Sequence, residues 1–260
     1  MIGGLVRLKV VNPKQIIATN LRDQEKLQYL EHEYGIQTMS DRLAAVASGD
    51  IVILAMKPKH IKEAIDDIWQ STSESQLFIS VLAGIPTTYI EDLLGHKAGV
   101  IRTMPNTSAK VGASATAICK GTFASEQDLT EAEKLFSSVG TVTVVSEEKL
   151  DAVTGLAGSG PAYFYFLVEA MESAALQAGL TKEESSALIT QTIVGVGKRL
   201  ETTTKSPKVL YEEVMSPNGT TEAGINVLRE KNVQEAMTEA VTRAISRSKE
   251  LGEVFIDTKK

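Results

Sequence analysis

Cysteine occurs once in this 260-residue chain, at Cys119, so no intramolecular disulfide can form. A lone cysteine fits a reducing, cytoplasmic compartment. Histidine is almost as scarce. His32, His60 and His96 are scattered, and without a Cys/His cluster the expectation is no metal site. Basic runs with interleaved aromatics are missing, and the net charge of −6 argues against a nucleic-acid or anionic-membrane surface. No apolar run reaches the roughly 18–20 residues needed to cross a bilayer. The opening Met1-Ile2-Gly3-Gly4-Leu5-Val6-Arg7 lacks the basic leader and cleavage site of a secretory signal. Repeats, low-complexity segments and charge blocks are absent too. What remains, 43% hydrophobic and 23% charged, is an ordinary soluble globular profile, long enough for two cores.

The first half of the chain alternates strand and helix signals. Asp50–Met56 and Leu77–Leu82 are continuous apolar runs, the pattern of strands covered on both faces. Gln15–Thr19, Val100–Met104, Ala113–Cys119 and Thr141–Val145 read as further strands. Asp23–Tyr34 (stopped by Gly35), Asp41–Ala47, His60–Gln70, Pro86–Leu94 and Glu126–Val139 (behind the cap Ser125) read as helices. This alternation predicts a mostly parallel, doubly wound α/β sheet. The texture changes near Ser146, after which no strand is found. Pro161–Gln177, a long helix capped by Thr181 and running to Thr202, a short one opened by Ser206-Pro207, Thr220–Lys231 and Val233–Phe255 make an all-α domain. The expected division is therefore 1–146 and 147–260. The stretch Ala187–Val196 is apolar nearly all round (Leu188, Ile189, Ile193, Val194, Val196), so it has to be buried. A partner subunit is the expected cover, the alternative being a central place within one subunit.

Three small-residue turns stand beside these apolar runs. Ser216-Pro217-Asn218-Gly219-Thr220-Thr221 falls where a helix starts. A helix N-terminus exposes unpaired N–H groups and partial positive charge, which suit a small carboxylate. Gly219 allows close backbone approach, and Thr220 and Thr221 add hydroxyls. Taken alone, the segment reads equally well as a capped helix. Gly158-Ser159-Gly160-Pro161-Ala162 and Met104-Pro105-Asn106-Thr107 are the other two turns.

Together with Asp50–Pro58, Ser80–Gly84, Val100–Thr107 and Asp151–Tyr163, these turns resemble the pyrroline-5-carboxylate reductase family over essentially the whole chain. Each motif is weak alone, but five in the family's order and spacing are specific. The resemblance implies a Rossmann-type α/β domain over 1–146 and a helical substrate and dimerisation domain over 147–260. It implies NAD(P)H-dependent reduction of 1-pyrroline-5-carboxylate to L-proline by a homodimer or larger homo-oligomer. In that frame Gly219, Thr220 and Thr221 hold the substrate carboxylate with Ser216 beside them, and Thr221 is the residue to hydrogen-bond the ring nitrogen. Ser159 and Gly160 sit near nicotinamide and substrate, unless that turn only packs a helix on a strand. Ala55, Lys57 and Pro58 close a strand along the cofactor, with Ala83 and Gly84 nearby; outside the resemblance Lys57 reads as a solvated loop lysine. Thr19, Asn20 and Arg22 follow the second expected strand, where an acid would mark NAD; their hydroxyl, amide and guanidinium favour NADP, with Asp23 close by keeping NAD open. Asn106 either approaches the cofactor or stabilises its own turn.

Two departures from the family pattern stand out. Asn218-Gly219 replaces the usual Gly-Gly, and Asn tolerates a left-handed backbone, so the turn is expected to survive. A Rossmann domain also opens with a strand and a Gly-rich pyrophosphate turn. Here Met1–Arg7 matches the helix after that turn, and neither G-x-G-x-x-G nor G-x-G-x-x-A occurs. The expectation is a sheet lacking a central strand, with its two neighbours unpaired. A misplaced start, a shortened chain or a diverged protein would each account for this. The competing functions are a non-catalytic dimeric carboxylate-binding scaffold and a related imine or β-hydroxyacid reductase. The latter's usual lysine has no counterpart near Gly158.

Overall fold

A computed structural model of the chain describes residues 1–256. It opens with α1 (Ile2–Arg7), β1 (Ile17–Ala18), α2 (Gln24–Tyr34), β2 (Gln37–Thr38) and α3 (Arg42–Ala47). There follow β3 (Ile51–Leu54), α4 (Ile61–Asp66), β4 (Leu77–Ser80), α5 (Thr87–Leu94), β5 (Gly99–Met104), β6 (Ser114–Lys120), α6 (Glu126–Ser137) and β7 (Gly140–Val144). Only helices come after: α7 (Leu150–Val153), a π turn (Thr154–Gly158), α8 (Gly160–Gln177), α9 (Lys182–Thr202), α10 (Pro207–Val214), α11 (Thr220–Glu230) and α12 (Val233–Ile256).

Side chains at the helix starts do what their sequence implies. Asp23, Asp41 and Ser206 each accept a backbone N–H from the first turn, and Ser125 and Thr181 form full capping boxes with Asp128 and Glu184. Each such cap is worth about 1 kcal/mol.

The main sheet has the order β3-β4-β5-β6-β7. β3, β4 and β5 are parallel, with Leu54 opposite Ser80 and Ser80 opposite Arg102, so all three end at one edge. β6 runs antiparallel to β5, and β7 follows β6 in parallel. The reversal has a local cause. Residues 105–113 are too few for a helical crossover, so the chain turns back directly. β1 and β2 form a separate parallel pair, and β2 was not visible in the sequence. β1 and β3 are each paired on one side only among the described residues, and Ile51, Val52 and Ile53 are half-buried while β4 is fully buried.

Two apolar layers flank the main sheet. Leu77, Ile79, Ile101 and Ile118 pack with Leu5, Ala132, Leu135 and Phe136 on one face. Phe78, Val100 and Leu54 pack with Ile61, Ile65, Ile90 and Leu94 on the other. The alternation along β4 and β5 supplies both layers.

The chain divides into two compact units, Met1–Pro161 with Arg243–Lys260, and Ala162–Thr242. In the second, the apolar stretch of α9 is not covered. Leu188 is 59% exposed and Val196 54%, and Ile189 alone among its large apolar residues is buried. Phe164, Tyr165 and Phe166 of α8 are 62–74% exposed. A central place within one subunit is thus excluded for α9.

Candidate active site

In the α/β unit, the segments after β3, β4 and β5 leave from one edge, the C-terminal edge where parallel sheets bind ligands. They carry Ala55, Lys57 and Pro58, then Ala83 and Gly84, then Asn106. Ala55 and Lys57 are exposed. Gly84 is buried in a left-handed conformation (φ +75°).

Asn106 joins two of the sequence motifs. Its amide donates to Ala157 O at 3.1 Å, while its side-chain oxygen accepts Ser108 N–H at 3.1 Å. The Gly158 segment is not an open turn. Ser159 N–H bonds Thr154 O at 2.9 Å, a π turn that runs straight into α8. A Cβ on Gly158 would stand 2.9 Å from Met104 Cε, so glycine permits this approach to the end of β5. Ser159 is half-buried and Gly160 buried.

Behind this edge lies an ionic network that sequence reasoning missed. Arg102 on β5 is 5% exposed. Its Nη1 is 3.2 Å from Glu147 Oε1 and its Nη2 3.8 Å from Asp151 Oδ1. Glu147 also accepts both the N–H (2.8 Å) and the hydroxyl (2.7 Å) of Thr87, neutralising the start of α5. Ser248 donates to Asp151 at 2.6 Å. The available signal was Arg102 itself, since a cation within an apolar strand requires an acidic partner. Cys119, opposite Arg102 in the ladder, is core: burial first and the Glu147 charge second push its thiol up to about 12.

The region after β1 carries Thr19, Asn20 and Arg22. Asn20 Oδ1 accepts the N–H groups of Arg22 and Asp23 at 3.1 and 3.0 Å. Asp23 Oδ1 caps α2 through Lys26 N–H at 2.9 Å. The exposed Arg22 guanidinium has no ion-pair partner among the described residues.

In the helical unit, Asn218 adopts φ +57°, the left-handed turn expected of it. Gly219 N–H bonds Ser216 O at 2.8 Å, and a Cβ on Gly219 would meet that oxygen at 2.9 Å. α11 then starts at Thr220 with no side-chain cap. Its first backbone bond is Ala223 N–H to Gly219 O, leaving the N–H groups of Thr220, Thr221 and Glu222 without helical acceptors. Glu222 reaches back to Asn218 N–H at 2.7 Å, bracing the turn. The hydroxyls of Ser216, Thr220 and Thr221 make no hydrogen bond among the described residues. The structure thus gathers Asn106 and the Gly158–Gly160 segment in one unit, with the strand-end turns at the same sheet edge, and Ser216–Thr221 in the other.

An α/β sheet whose strand-end turns leave from one edge, an arginine after β1 without an ion-pair partner among the described residues and a donor-rich helix start suit a phosphate-bearing dinucleotide and a small acid, the parts of a nicotinamide-dependent reaction. Residues 1–84 match the family model described as NADP oxidoreductase, coenzyme F420-dependent. Residues 147–251 match the model described as pyrroline-5-carboxylate reductase dimerisation. Pyrroline-5-carboxylate reductase 1 of Bacillus subtilis is 42% identical over 97% of this chain and 85% of its own length. Pyrroline-5-carboxylate reductase of Methanosarcina acetivorans is 37% identical, over 97% of this chain and 93% of its own length. The solved pyrroline-5-carboxylate reductase of Coxiella burnetii superposes with a TM-score of 0.86 at 36% identity, over 96% of this chain and 93% of that one. The chain belongs to the pyrroline-5-carboxylate reductase family of NAD(P)-dependent oxidoreductases.

No helix among the described residues is long and apolar enough to cross a membrane. They also contain no group of three or more His, Cys, Asp or Glu placed to hold a metal.

Proposed function

We propose that this chain reduces 1-pyrroline-5-carboxylate to L-proline with NADPH, the last step of proline biosynthesis, as a cytoplasmic homodimer or larger homo-oligomer. The observation that carries the reading is the start of α11, where N–H groups without helical acceptors share one segment with three hydroxyls that make no hydrogen bond among the described residues. A substrate with one carboxylate and one imine needs little more from the protein than binding and orientation.

In this reading residues 1–146 bind the dinucleotide, and residues 147–260 supply the substrate turn and the subunit contact. Thr220 and Thr221 hold the carboxylate through backbone N–H groups and hydroxyls, Gly219, whose own N–H is engaged by Ser216 O, lets it come close, and Ser216 completes the turn. Thr221 also hydrogen-bonds the ring nitrogen. Ser159 and Gly160 border the reacting ring. Ala55, Lys57, Pro58, Ala83, Gly84 and Asn106 line the cofactor. When bound, the nicotinamide would supply a hydride for the imine carbon, and the proton for the ring nitrogen would come through Thr221 or from water. No metal is needed.

Thr19, Asn20 and Arg22 take the ribose 2′-phosphate, which selects NADPH over NADH. The cap formed by Asp23 supports this, because its carboxylate is engaged with α2 rather than offered to a ribose hydroxyl. The exposed aromatic and aliphatic side chains of α8 and α9 support a subunit contact there, since a monomer rarely leaves so much apolar surface to water.

The test is to mix the purified chain with NADPH and follow cofactor oxidation with and without 1-pyrroline-5-carboxylate. Substrate-dependent oxidation with proline as product is expected. A folded chain that oxidises no NADPH when the substrate is added would overturn the assignment.

A further inference from the structure

The last turns of α12 close directly on the turn that follows β4. A Cβ on Gly252 would stand 2.6 Å from Gly84 O, and one on Gly84 would stand 3.3 Å from both Gly252 N and Ser248 O. Helix and turn therefore meet backbone to backbone, an approach only glycine permits. Gly84 is also left-handed (φ +75°), so the turn is restricted at that residue on both counts. Ser248, 3% exposed, anchors the same helix by its 2.6 Å bond to Asp151, which faces the buried Arg102. One turn further on, Phe255 packs its ring on Tyr89, with centroids 5.2 Å apart. The part of α12 from Arg243 to Ile256 thus belongs with the α/β unit, although the helix begins in the helical one.

Merely covering the sheet edge would not demand this pairing. Burial of a helix end is satisfied by side chains such as Phe255, with room for a methyl group between backbones. Here the two backbones leave no room for a methyl group on Gly252, and the residue before Gly84 is Ala83, half-buried after β4. We infer that the end of α12 is a positioning element for the Ala83–Gly84 turn. Gly252, held in place through Ser248 and Asp151, sets how far that turn projects from the sheet toward the cofactor. The inference rests on the cofactor reading of the turn given above.

The test is Gly252→Ala in the full chain, read by NADPH binding and by steady-state kinetics. Pushing the turn outward should raise both Kd and KM for NADPH by about fivefold or more, with kcat at saturating NADPH and KM for 1-pyrroline-5-carboxylate changed by less than about twofold. Ser248→Ala, which adds no atom, should raise KM for NADPH by about twofold, and it keeps the test open if Gly252→Ala fails to fold. Phe255→Ala loosens the same helix at Tyr89 while adding nothing between Gly252 and Gly84; it should lower Tm and leave KM for NADPH unchanged. An unchanged NADPH affinity in folded Gly252→Ala, or an equal rise in Phe255→Ala, overturns the inference. A wild-type chain that binds NADPH but reduces no 1-pyrroline-5-carboxylate would sink the proposed function alone, and the binding comparison would still decide this one. A wild-type chain that binds no NADPH would overturn both.

Discussion

The Arg102–Glu147 pair makes the sharpest energetic prediction. Arg102→Met keeps the volume of the stem but strands two carboxylates. Glu147 retains Thr87 and Asp151 retains Ser248, yet neither keeps a cation. Breaking a buried pair from one side costs about 3–5 kcal/mol. The low end, about 3 kcal/mol, applies here because the side chains of Glu147 and Asp151 are 29% and 22% exposed, so water recovers part of the loss. Glu147→Gln removes the charge while leaving an acceptor for Thr87, so about 1.5–2 kcal/mol is expected. The double variant no longer contains the mismatch between these two positions. It should lose about 3 kcal/mol rather than the sum of about 5, a coupling of about 1.5–2 kcal/mol. Urea unfolding followed by circular dichroism, at one fixed protein concentration, gives the four midpoints of the cycle. Losses that add within about 0.5 kcal/mol would mean that Arg102 and Glu147 are uncoupled and form no such network.

Three further predictions concern the site and the core. Thr221→Ala should lower kcat by about 100-fold, the scale of a lost proton-handling contact, and shift stability by no more than about 0.5 kcal/mol; unchanged kinetics would remove the assignment. Arg22→Ala should raise KM for NADPH by about tenfold or more while leaving KM for NADH alone, as measured by paired titrations with the two cofactors. Cys119 should resist iodoacetamide in the folded protein at mildly alkaline pH and react on unfolding. Its folded thiol is raised from 9.0 to about 12, so folding holds the proton more tightly. Its contribution to stability is complete below 9.0 and is lost as pH climbs toward about 12, visible as a falling urea midpoint over that window.

Much of the fold was legible because it is local. The apolar runs around Ile51–Leu54 and Leu77–Ser80 announce strands covered on both faces, and Asp23, Asp41, Ser125, Thr181 and Ser206 announce helix starts. The left-handed Asn218 followed from residue chemistry alone. What escaped notice depends on partners distant in sequence. Gln37 and Thr38 are a strand only because β1 lies beside them. The π turn at Thr154–Gly158 has no residue signature; Met104 and Asn106 pack against it from another motif. The network of Arg102, Glu147, Asp151 and Ser248 spans residues 102–248, beyond the reach of any spacing rule. The apolar α9 was legible as a helix, but its exposure in one chain is a property of the surroundings that only the fold displays.

The proposed reaction is hydride transfer to the imine carbon of 1-pyrroline-5-carboxylate. It is tested most directly by giving the chain NADPH deuterated at the transferring position of the nicotinamide and analysing the product by mass spectrometry. L-proline carrying a single deuterium, on the carbon next to nitrogen that was the imine carbon, is expected. Proline formed without label, or no proline from a folded chain supplied with both reactants, would contradict it.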